Sequence, residues 1–270
     1  MRESPHRSAR LRLRTVAATR YVTPLREGGS LPAVIEADDD GMYVLKFRGA
    51  GQGPKALIAE LVAGELARAA GLPVPEIVLV ELDADLARSE PDAEIQDLIR
   101  ASAGLNLALD YLPGALTFDP LAEQPDSALA SAVVWHDAFV SNVDRTPRNS
   151  NLLIWHRRLW LIDHGAALYF HHHWAGWRER CTAPFPLIRE HVLLPFANDL
   201  ATADAALSRR LTPQVVAGVV ALIPDAWLED DPLFAGRGEQ RDGYRDYLLR
   251  RLEAPRAFAE EAIRARAAQL

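Results

Sequence analysis

The feature that most constrains the fold is a polar loop between a predicted helix and two short apolar strands. The loop spans 142–151 and holds Asp144 and Asn149, five residues apart. The strands LLIW and LWLID follow it, joined by a His-Arg-Arg turn, and the second strand ends in Asp163 shortly before a glycine. An Asp at the end of such a strand can reach the polar groups of the loop from the opposite side. The spacing therefore predicts one site that Asp144, Asn149 and Asp163 share.

These three side chains have the chemistry of a phosphate site that works with a divalent cation. Asp144 can accept or orient a hydroxyl proton, and Asn149 and Asp163 can bind the cation through oxygen. Mg²⁺ prefers hard oxygen ligands and keeps several waters, so one Asn and one Asp from the protein suffice. Protein kinases use this order for phosphoryl transfer: an Asp, an Asn five residues later, and an Asp-x-Gly on the next hairpin. The alternative is a capped loop and a hairpin turn, where Asp and Asn serve local hydrogen bonds.

The rarity of lysine among the basic residues of this chain draws attention to the two lysines that are present. Of the 30 basic residues, 28 are Arg and two are Lys, namely Lys46 and Lys55. Lys46 lies in the apolar strand MYVLKF, which favours a chemical role, although a strand lysine can also extend its charged end to solvent. The helix predicted at 54–70 offers Glu60 and Glu65 as partners for Lys46. Periodicity alone does not choose between the two glutamates.

The predicted elements divide the chain into two parts of different character. Period-2 alternation predicts strands, and Pro54 and Gly71 suit the start and end of one clear helix. In order, the elements are strands at 11–22, 34–37 and 42–47, the helix at 54–70, a strand at 76–82, a helix with loops at 83–103, a strand at 108–112, a helix at 126–141, strands at 152–155 and 159–163, and helices from about 185 onward. A β-rich N-terminal third with one helix therefore precedes a mostly helical C-terminal part.

Composition also excludes several classes of function. The net charge of −7 disfavours binding to nucleic acid, and no apolar run approaches the roughly 18 residues of a membrane span. The basic N-terminus lacks the apolar stretch of a secretory signal. The single cysteine, Cys181, excludes an intrachain disulfide framework and a Cys-based zinc cluster. We therefore expect a cytoplasmic protein.

The three consecutive histidines at 171–173 are not predicted to form a metal site, because the side chains of adjacent residues rarely point toward one metal ion. They are expected to lie in the segment that follows Asp163.

The chain resembles the HipA-like kinase family, atypical kinases related in fold to the phosphoinositide lipid kinases. In that family the helix with the glutamate ends in Gly-Leu-x-Val-Pro, as GLPVP does here at 71–75. Counting back from it, the resemblance selects Glu60 as the partner of Lys46. The loop at 142–149 is similar to the Asn-Thr-Asp-Arg loop of type II phosphatidylinositol 4-kinases, and 161–165 is similar to their Ile-Asp-x-Gly metal segment.

The resemblance covers about residues 20–170 and implies an α+β fold of the bilobal protein-kinase type. It implies a small β-rich N-lobe with one helix and a larger, mostly helical C-lobe. The expected divisions are a basic tail at 1–14, the N-lobe at 15–112 and the C-lobe at 113–270, with the catalytic loop at 142–151, the metal segment at 161–165 and a helical part at 185–270. ATP and Mg²⁺ are the implied cofactors.

The resemblance also implies a role for each candidate residue. Asp144 would be the catalytic base, Asn149 and Asp163 the metal ligands, and Lys46, held by Glu60, the contact to the ATP phosphates. Further cofactor-binding candidates are the turn Gly28-Gly29-Ser30, whose backbone N–H groups could cover phosphates, and the hinge residues Asp110, Tyr111 and Leu112, by their position after a strand. From their positions alone, Asn142 would cap the end of the helix or orient the loop, Asn151 would order the loop, and Arg145 would contact either a phosphate or a neighbouring carboxylate.

The predicted function is an ATP- and Mg²⁺-dependent phosphotransferase that moves the γ-phosphate to a hydroxyl. The resemblance favours Ser or Thr of a protein as the acceptor, with a lipid or small-molecule hydroxyl as the alternative. Thr146 stands where many lipid kinases and HipA-like members carry His, and this departure counts against the lipid acceptor. Two other classes stay open: transfer of AMP on the same fold, and a nucleotide-binding pseudokinase that acts as a regulator. A protein regulator is a further possible partner.

Overall fold

Five strands in the N-terminal part of the chain close into a small barrel. The structure is a computed structural model that describes residues 12–25 and 31–269. The barrel strands are β1 (Thr15–Pro24), β2 (Ala33–Ala37), β3 (Met42–Lys46), β4 (Ile77–Leu82) and β5 (Gly104–Asp110). Their order is β1-β2-β3-β5-β4, and β4 returns beside β1 in parallel, whereas the other neighbours pair antiparallel. The register places Lys46, the last residue of β3, opposite Leu107 of β5.

A long buried helix, α1 (Pro54–Ala70), lies between the barrel and the rest of the molecule. Pro54 occupies its first turn, where a missing N–H costs nothing. Gly71 ends the helix in the left-handed conformation, with φ 87°, which glycine adopts without strain. Every residue from Leu57 to Ala67 is buried, because α1 packs on β4 and β5 and also on helices of the C-terminal part. A charged residue in this stretch therefore needs a partner inside the protein.

The N-terminal lobe holds a second helix in the segment 83–103, where the sequence predicted a helix with loops. A 3-10 helix (Ala84–Ser89) is followed by α2 (Ala93–Ala101). The side chain of Asp92 accepts a hydrogen bond from the backbone N–H of Glu94 and so caps α2. The lobe therefore has two α-helices in its described residues, and the second lies in the segment where the sequence predicted a helix with loops.

The C-terminal part is mostly helical and contains one small antiparallel sheet. Its first helix, α3 (Ser127–Val140), leads directly into the polar loop 142–151. The sheet consists of β6 (Leu116–Thr117), β7 (Leu152–Trp155) and β8 (Arg158–Leu161). The later helices are α4 (Trp177–Arg180), α5 (Leu200–Arg210), α6 (Pro213–Val220), α7 (Arg237–Leu252) and α8 (Ala257–Ala267), joined by short 3-10 helices at Tyr169–His172, Pro186–Glu190, Leu194–Phe196 and Asp225–Trp227. In the ranges that the structure describes, no helix is both long and apolar enough to cross a membrane.

Buried apolar side chains form two clusters, and α1 belongs to the one that joins the lobes. The larger cluster unites α1, α3 and the C-terminal helices around the wholly buried Trp135 and Trp227. The smaller cluster fills the barrel and the inner face of α2. Trp227 also donates its indole N–H to the carbonyl oxygen of Leu105 in β5, at 3.0 Å. These contacts fix the position of α1, and hence of Glu60, relative to both lobes.

Candidate active site

Lys46 lies at the point where the barrel, α1 and the metal segment meet. Its Nζ is 2.7 Å from Oδ1 of Asp163 and 3.8 Å from Oε2 of Glu60. The side chains of Lys46 and Glu60 are 12% and 2% exposed, whereas that of Asp163 is 35% exposed. We call Lys46, Glu60, Asp163 and His164 the lysine cluster. It places one ammonium group beside two carboxylates, of which only Asp163 is substantially open to solvent.

The electrostatics of the lysine cluster keep Lys46 and Glu60 charged. Burial alone would lower the pKa of Lys46, but Glu60 and Asp163 outweigh it, and the pKa is raised. Burial would raise the pKa of Glu60, but Lys46 and His164 outweigh it, and the pKa is lowered. A fixed positive charge at the base of the cluster is suited to hold an anionic group such as a phosphate.

The two glutamates of α1 have different partners. Glu60 faces Lys46, whereas Oε1 of Glu65 lies 3.3 Å from Nε of Arg68, one turn along the same helix. The position of Glu60 beside Lys46 agrees with the choice that the family resemblance made and periodicity could not.

Asp163 follows β8 in a conformation that residues other than glycine seldom adopt. Its φ is 54°, in the left-handed region, and such strain is typical of functional positions. Gly165 lies close by, because a Cβ built on it would be 3.6 Å from Oδ1 of Asp163 and 3.8 Å from Oε2 of Glu60. The local backbone thus turns the Asp163 carboxylate toward Lys46.

The polar loop orients Asp144 through two asparagine side chains. Oδ2 of Asp144 accepts hydrogen bonds from Nδ2 of Asn149 at 2.8 Å and from Nδ2 of Asn151 at 3.3 Å. Nδ2 of Asn151 also donates to the carbonyl oxygen of Asp144, at 2.9 Å. Burial and the nearby charge of Asp163 raise the pKa of Asp144, although both asparagines act to lower it. The five-residue spacing therefore brings Asp144 and Asn149 into direct contact, with Asp163 near enough to influence the charge.

A sealed group of polar side chains holds this loop in place. Nε of Arg145 donates to Oδ2 of Asp137 at 2.5 Å, and Nε2 of His191 lies 2.9 Å from the same oxygen. Nδ2 of Asn142 donates to Oδ1 of Asp137 at 3.1 Å. We call Asp137, Asn142, Arg145 and His191 the anchor cluster. Of the two alternatives that the sequence left for Arg145, the structure shows the carboxylate partner.

Arg145 ties the anchor cluster to the backbone on both sides of the hairpin. One of its terminal nitrogens, Nη1, donates to the carbonyl oxygens of Asn151 and, at 3.3 Å, of Ile162. Burial would raise the pKa of Asp137, but Arg145 and His191 outweigh it, and the pKa is strongly lowered. The charged anchor therefore fixes the loop and the start of the metal segment together.

Sequence reasoning missed Asp137 and His191. The signal for Asp137 was present, because it is the one acidic residue in the apolar helix SALASAVVWHDAFV, and a charge inside such a helix needs a buried partner. For His191, which comes from a distant segment, the sequence contains no comparable signal.

Two buried histidine rings contact each other, and one of them, His164, also contacts Glu60. Nδ1 of His164 is 3.3 Å from Oε1 of Glu60, and the ring of His136 stands edge-on to that of His164, with centroids 6.3 Å apart. Both histidines are fully buried. Burial lowers the pKa of His136 to about 3, so this ring is neutral at physiological pH.

The predicted hinge lies at the end of β5. The backbone N–H of Asp110 donates to the carbonyl oxygen of Glu76 at 2.8 Å, and that of Tyr111 donates to Met42 at 3.0 Å. Leu112 is buried, and burial raises the pKa of Asp110. The assignment of adenine to Asp110, Tyr111 and Leu112 stays a prediction. The predicted phosphate-covering turn Gly28-Gly29-Ser30 lies outside the described residues.

The three consecutive histidines belong to the packed segment after the metal segment. His171 is buried, and its Nδ1 lies 3.1 Å from the hydroxyl of Tyr244. Trp174 and Trp177 are buried nearby, consistent with a core role. Among the residues that the structure describes, no group of three or more His, Cys, Asp or Glu side chains could hold a metal ion.

Comparison with known proteins identifies the family. A family model described as HipA-like kinase matches residues 19–255, and no curated protein gives a match. The Helicobacter pylori proinflammatory kinase CtkA is similar in structure, with a TM-score of 0.56 and 12% identity over 95% of this chain and 99% of that one. The Golgi casein kinase matches with a TM-score of 0.36 and 11% identity over 92% and 76% of the two chains.

The likeness to CtkA concerns the fold, and it confirms the predicted bilobal kinase architecture with a β-rich N-lobe and a helical C-lobe. The family match extends beyond the region that the sequence resemblance covered and spans both lobes. The chain therefore belongs to the HipA-like kinase family, and the activity it carries is that of a kinase.

Proposed function

We propose that this kinase transfers the γ-phosphate of ATP to a Ser or Thr hydroxyl of a protein. The observation that carries the proposal is the position of the Lys46 ammonium between Glu60 and Asp163, with the contacting pair Asp144 and Asn149 on the neighbouring loop. Phosphoryl transfer depends mainly on positioning and on neutralising charge. Lys46 supplies a fixed positive charge for the phosphates.

Each residue of the proposed site has a task that its contacts support. Glu60, buried in α1, holds Lys46 in a defined place. The carboxylate of Asp144 binds the hydroxyl group of the acceptor and orients the proton of that hydroxyl toward itself. Its raised pKa makes it a better proton acceptor than an ordinary Asp once it is ionised.

The donor set fits Mg²⁺. Asn149 turns its amide nitrogen toward Asp144, so its oxygen is the atom for a cation, and Asp163 offers a partly exposed carboxylate. Both are hard oxygen ligands, and two protein ligands suit an ion that keeps waters and binds phosphate oxygens. When bound, the ion would neutralise negative charge on the phosphates.

A protein acceptor is favoured by the family resemblance, and a lipid or small-molecule hydroxyl is the alternative. The net charge of −7 disfavours contact with an anionic membrane surface. In the described residues no helix could span a membrane.

Labelled ATP tests the reaction. We expect label from the γ-position to appear on the chain itself or on an added protein with wild type, and to be absent with Asp144→Ala and Asp163→Ala. Asp97→Asn, on the exposed face of α2, is the matched control and should retain transfer. Label from the α-position would identify AMP transfer, and no transfer by folded protein that binds ATP would identify a pseudokinase; either result contradicts the proposal.

Thermal unfolding tests the nucleotide site separately. A ligand that binds only the folded state raises its stability, by about 2.7 kcal/mol at a hundredfold excess over Kd. We expect ATP with Mg²⁺ to raise the unfolding midpoint of wild type, and the rise to shrink in Asp163→Ala and in the presence of a chelator. No rise for folded, nucleotide-free wild type at millimolar ATP would contradict the proposed site.

A further inference from the structure

The consecutive residues Asp163 and His164 contact the two ends of one ion pair. Asp163 lies 2.7 Å from Lys46, and Nδ1 of His164 lies 3.3 Å from Oε1 of Glu60. Lys46 and Glu60 are themselves 3.8 Å apart. The four side chains and the peptide bond between 163 and 164 therefore form a closed ring of contacts that joins β3, α1 and the metal segment.

The hydrogen bond from His164 to Glu60 has a defined direction. The ammonium group of Lys46 favours the ionised form of the Glu60 carboxylate, and an ionised carboxylate can only accept. Nδ1 of His164 must therefore carry the proton and donate it to Glu60. Oε2 of Glu60 has no hydrogen-bond partner in the described part of the chain. His164 thus provides the directional side-chain contact that orients this carboxylate.

His164 cannot easily leave this position. Its side chain is fully buried, and the ring of His136 from α3 stands edge-on to it at an interplanar angle of 80°. A Cβ built on Gly64 of α1 would lie 3.8 Å from Nδ1 of His164. The buried ring therefore contacts both α1 and α3, and these contacts restrict its position.

We propose that His164 is a positioning residue, which orients Glu60 so that Lys46 keeps its place when Asp163 turns to another ligand. The inference rests on the proposed function, in which Lys46 contacts phosphate and Asp163 serves the metal. Without Asp163, Glu60 is the one ion-pair partner that the described residues leave to Lys46, at the longer of its two distances. A carboxylate fixed by His164 keeps that contact, whereas one free to rotate does not.

The two lysines of the chain allow a test that needs no activity. With lysine labelled at the side-chain nitrogen, NMR of the full chain should show one signal from Lys46 and one from Lys55, which serves as the internal reference. We expect His164→Leu to shift the Lys46 signal and leave Lys55 unchanged. His164→Asn, which keeps a side-chain N–H donor, should leave Lys46 closer to its wild-type position. An unchanged Lys46 signal in folded His164→Leu would overturn the inference.

His136→Leu is the matched control, because it removes a buried histidine from the same layer. Neither ring nitrogen of His136 has a hydrogen-bond partner in the described residues, so this change should leave the Lys46 signal in place. A shift as large as that of His164→Leu would mean that packing, and not the contact to Glu60, positions Lys46. If His164→Leu does not fold, NMR of the His164 ring in the wild-type protein serves as the test. A proton on Nε2 in place of Nδ1 would then overturn the inference.

Kinetics separate positioning from a purely structural role. We expect His164→Leu to raise KM for ATP about tenfold, which corresponds to about 1.4 kcal/mol, and to leave KM for the acceptor unchanged. His164→Asn should restore most of the loss. A purely structural role would lower the unfolding midpoint and the active fraction without changing KM, and that result would overturn the inference. If wild type does not respond to ATP, the proposed function fails, while the lysine signals still decide whether His164 positions Lys46.

Discussion

The anchor cluster and the lysine cluster both consist of buried opposite charges, but they differ in how completely those charges are matched. In the anchor cluster the side chains of Asp137 and Arg145 are both 0% exposed, and the carboxylate receives three donors. In the lysine cluster one ammonium group serves two carboxylates, and Asp163 is 35% exposed. The anchor cluster is thus shielded from solvent, whereas the lysine cluster has more carboxylates than ammonium groups and one carboxylate that is open to solvent.

The difference separates a structural role from a functional one. Taking charges out of water is costly, and full pairing is what makes a buried ion pair tolerable. A pair whose two charges are both 0% exposed can hold a loop, but it is closed to a charged ligand from solvent. An imperfectly matched pair beside solvent can exchange partners, which is a property expected of a site that receives a charged ligand.

The largest effect should come from removing the cation of the lysine cluster. Lys46→Met keeps the length and apolar stem of the side chain and deletes its charge. We expect phosphate transfer from labelled ATP to fall about 10²- to 10³-fold, the usual loss for one preorganised charge contact. The protein should still fold, because Glu60 can take up a proton when its partner is gone. Transfer within about tenfold of wild type would show that the lysine cluster does not serve the reaction.

The corresponding change in the anchor cluster should act on stability. Arg145→Met removes the cation beside the fully buried Asp137, and breaking a buried pair in this way costs about 3–5 kcal/mol. Urea unfolding should show this loss, with Arg100→Met on the exposed face of α2 as the control that changes little. If Arg145→Met unfolds like wild type and loses only activity, then Arg145 belongs to the reaction and the contrast between the clusters is wrong.

The pH dependence of activity should report on Asp144, whose pKa is influenced by Asp163 of the lysine cluster and by Arg145 of the anchor cluster. Its pKa is raised by burial and by Asp163, so the activity should decline on the acidic side at a pH above the usual Asp value of about 3.9. Asn151 acts to lower this pKa. Asn151→Ala should therefore move the acidic limb of kcat/KM to higher pH. A limb that stays in place, or moves to lower pH, would contradict the assignment of Asp144 as the proton acceptor.

The sequence was sufficient for most of the fold. The helix predicted at 54–70 matches α1 to the residue, and the predicted 126–141 differs from α3 by one residue at each end. These segments are bounded by residues with strong local preferences, such as Pro54 and Gly71. The strand predicted at 108–112 begins earlier, at Gly104, because the pairing with β4 that extends it is a long-range contact.

Several candidate site residues from the sequence lie close together in the structure, but some of their contacts could not be predicted. The loop spacing brought Asp144 and Asn149 together because both lie on one turn of chain. The partner of Glu60 on the metal segment, His164, and the partner of Asp137, His191, depend on tertiary packing. A histidine gives no periodic signal of its own, so neither contact could be predicted from the pattern.

The smallest effect should come from replacing Glu65. This change tests whether a buried charge in α1 that does not pair with Lys46 contributes to nucleotide binding. Burial raises the pKa of Glu65, outweighing Arg68, so its charged form costs stability at neutral pH, and the cost fades as the pH falls. Glu65→Gln should therefore change the free energy of unfolding by no more than about 1 kcal/mol, in the stabilising direction at neutral pH, with KM for ATP unchanged.

Glu60→Gln on the same helix removes the carboxylate that holds Lys46, so it should raise KM for ATP. Urea unfolding and steady-state kinetics on the two variants compare them directly. Equal effects of the two variants on KM for ATP would mean that the ion pair between Glu60 and Lys46 has no role of its own in nucleotide binding.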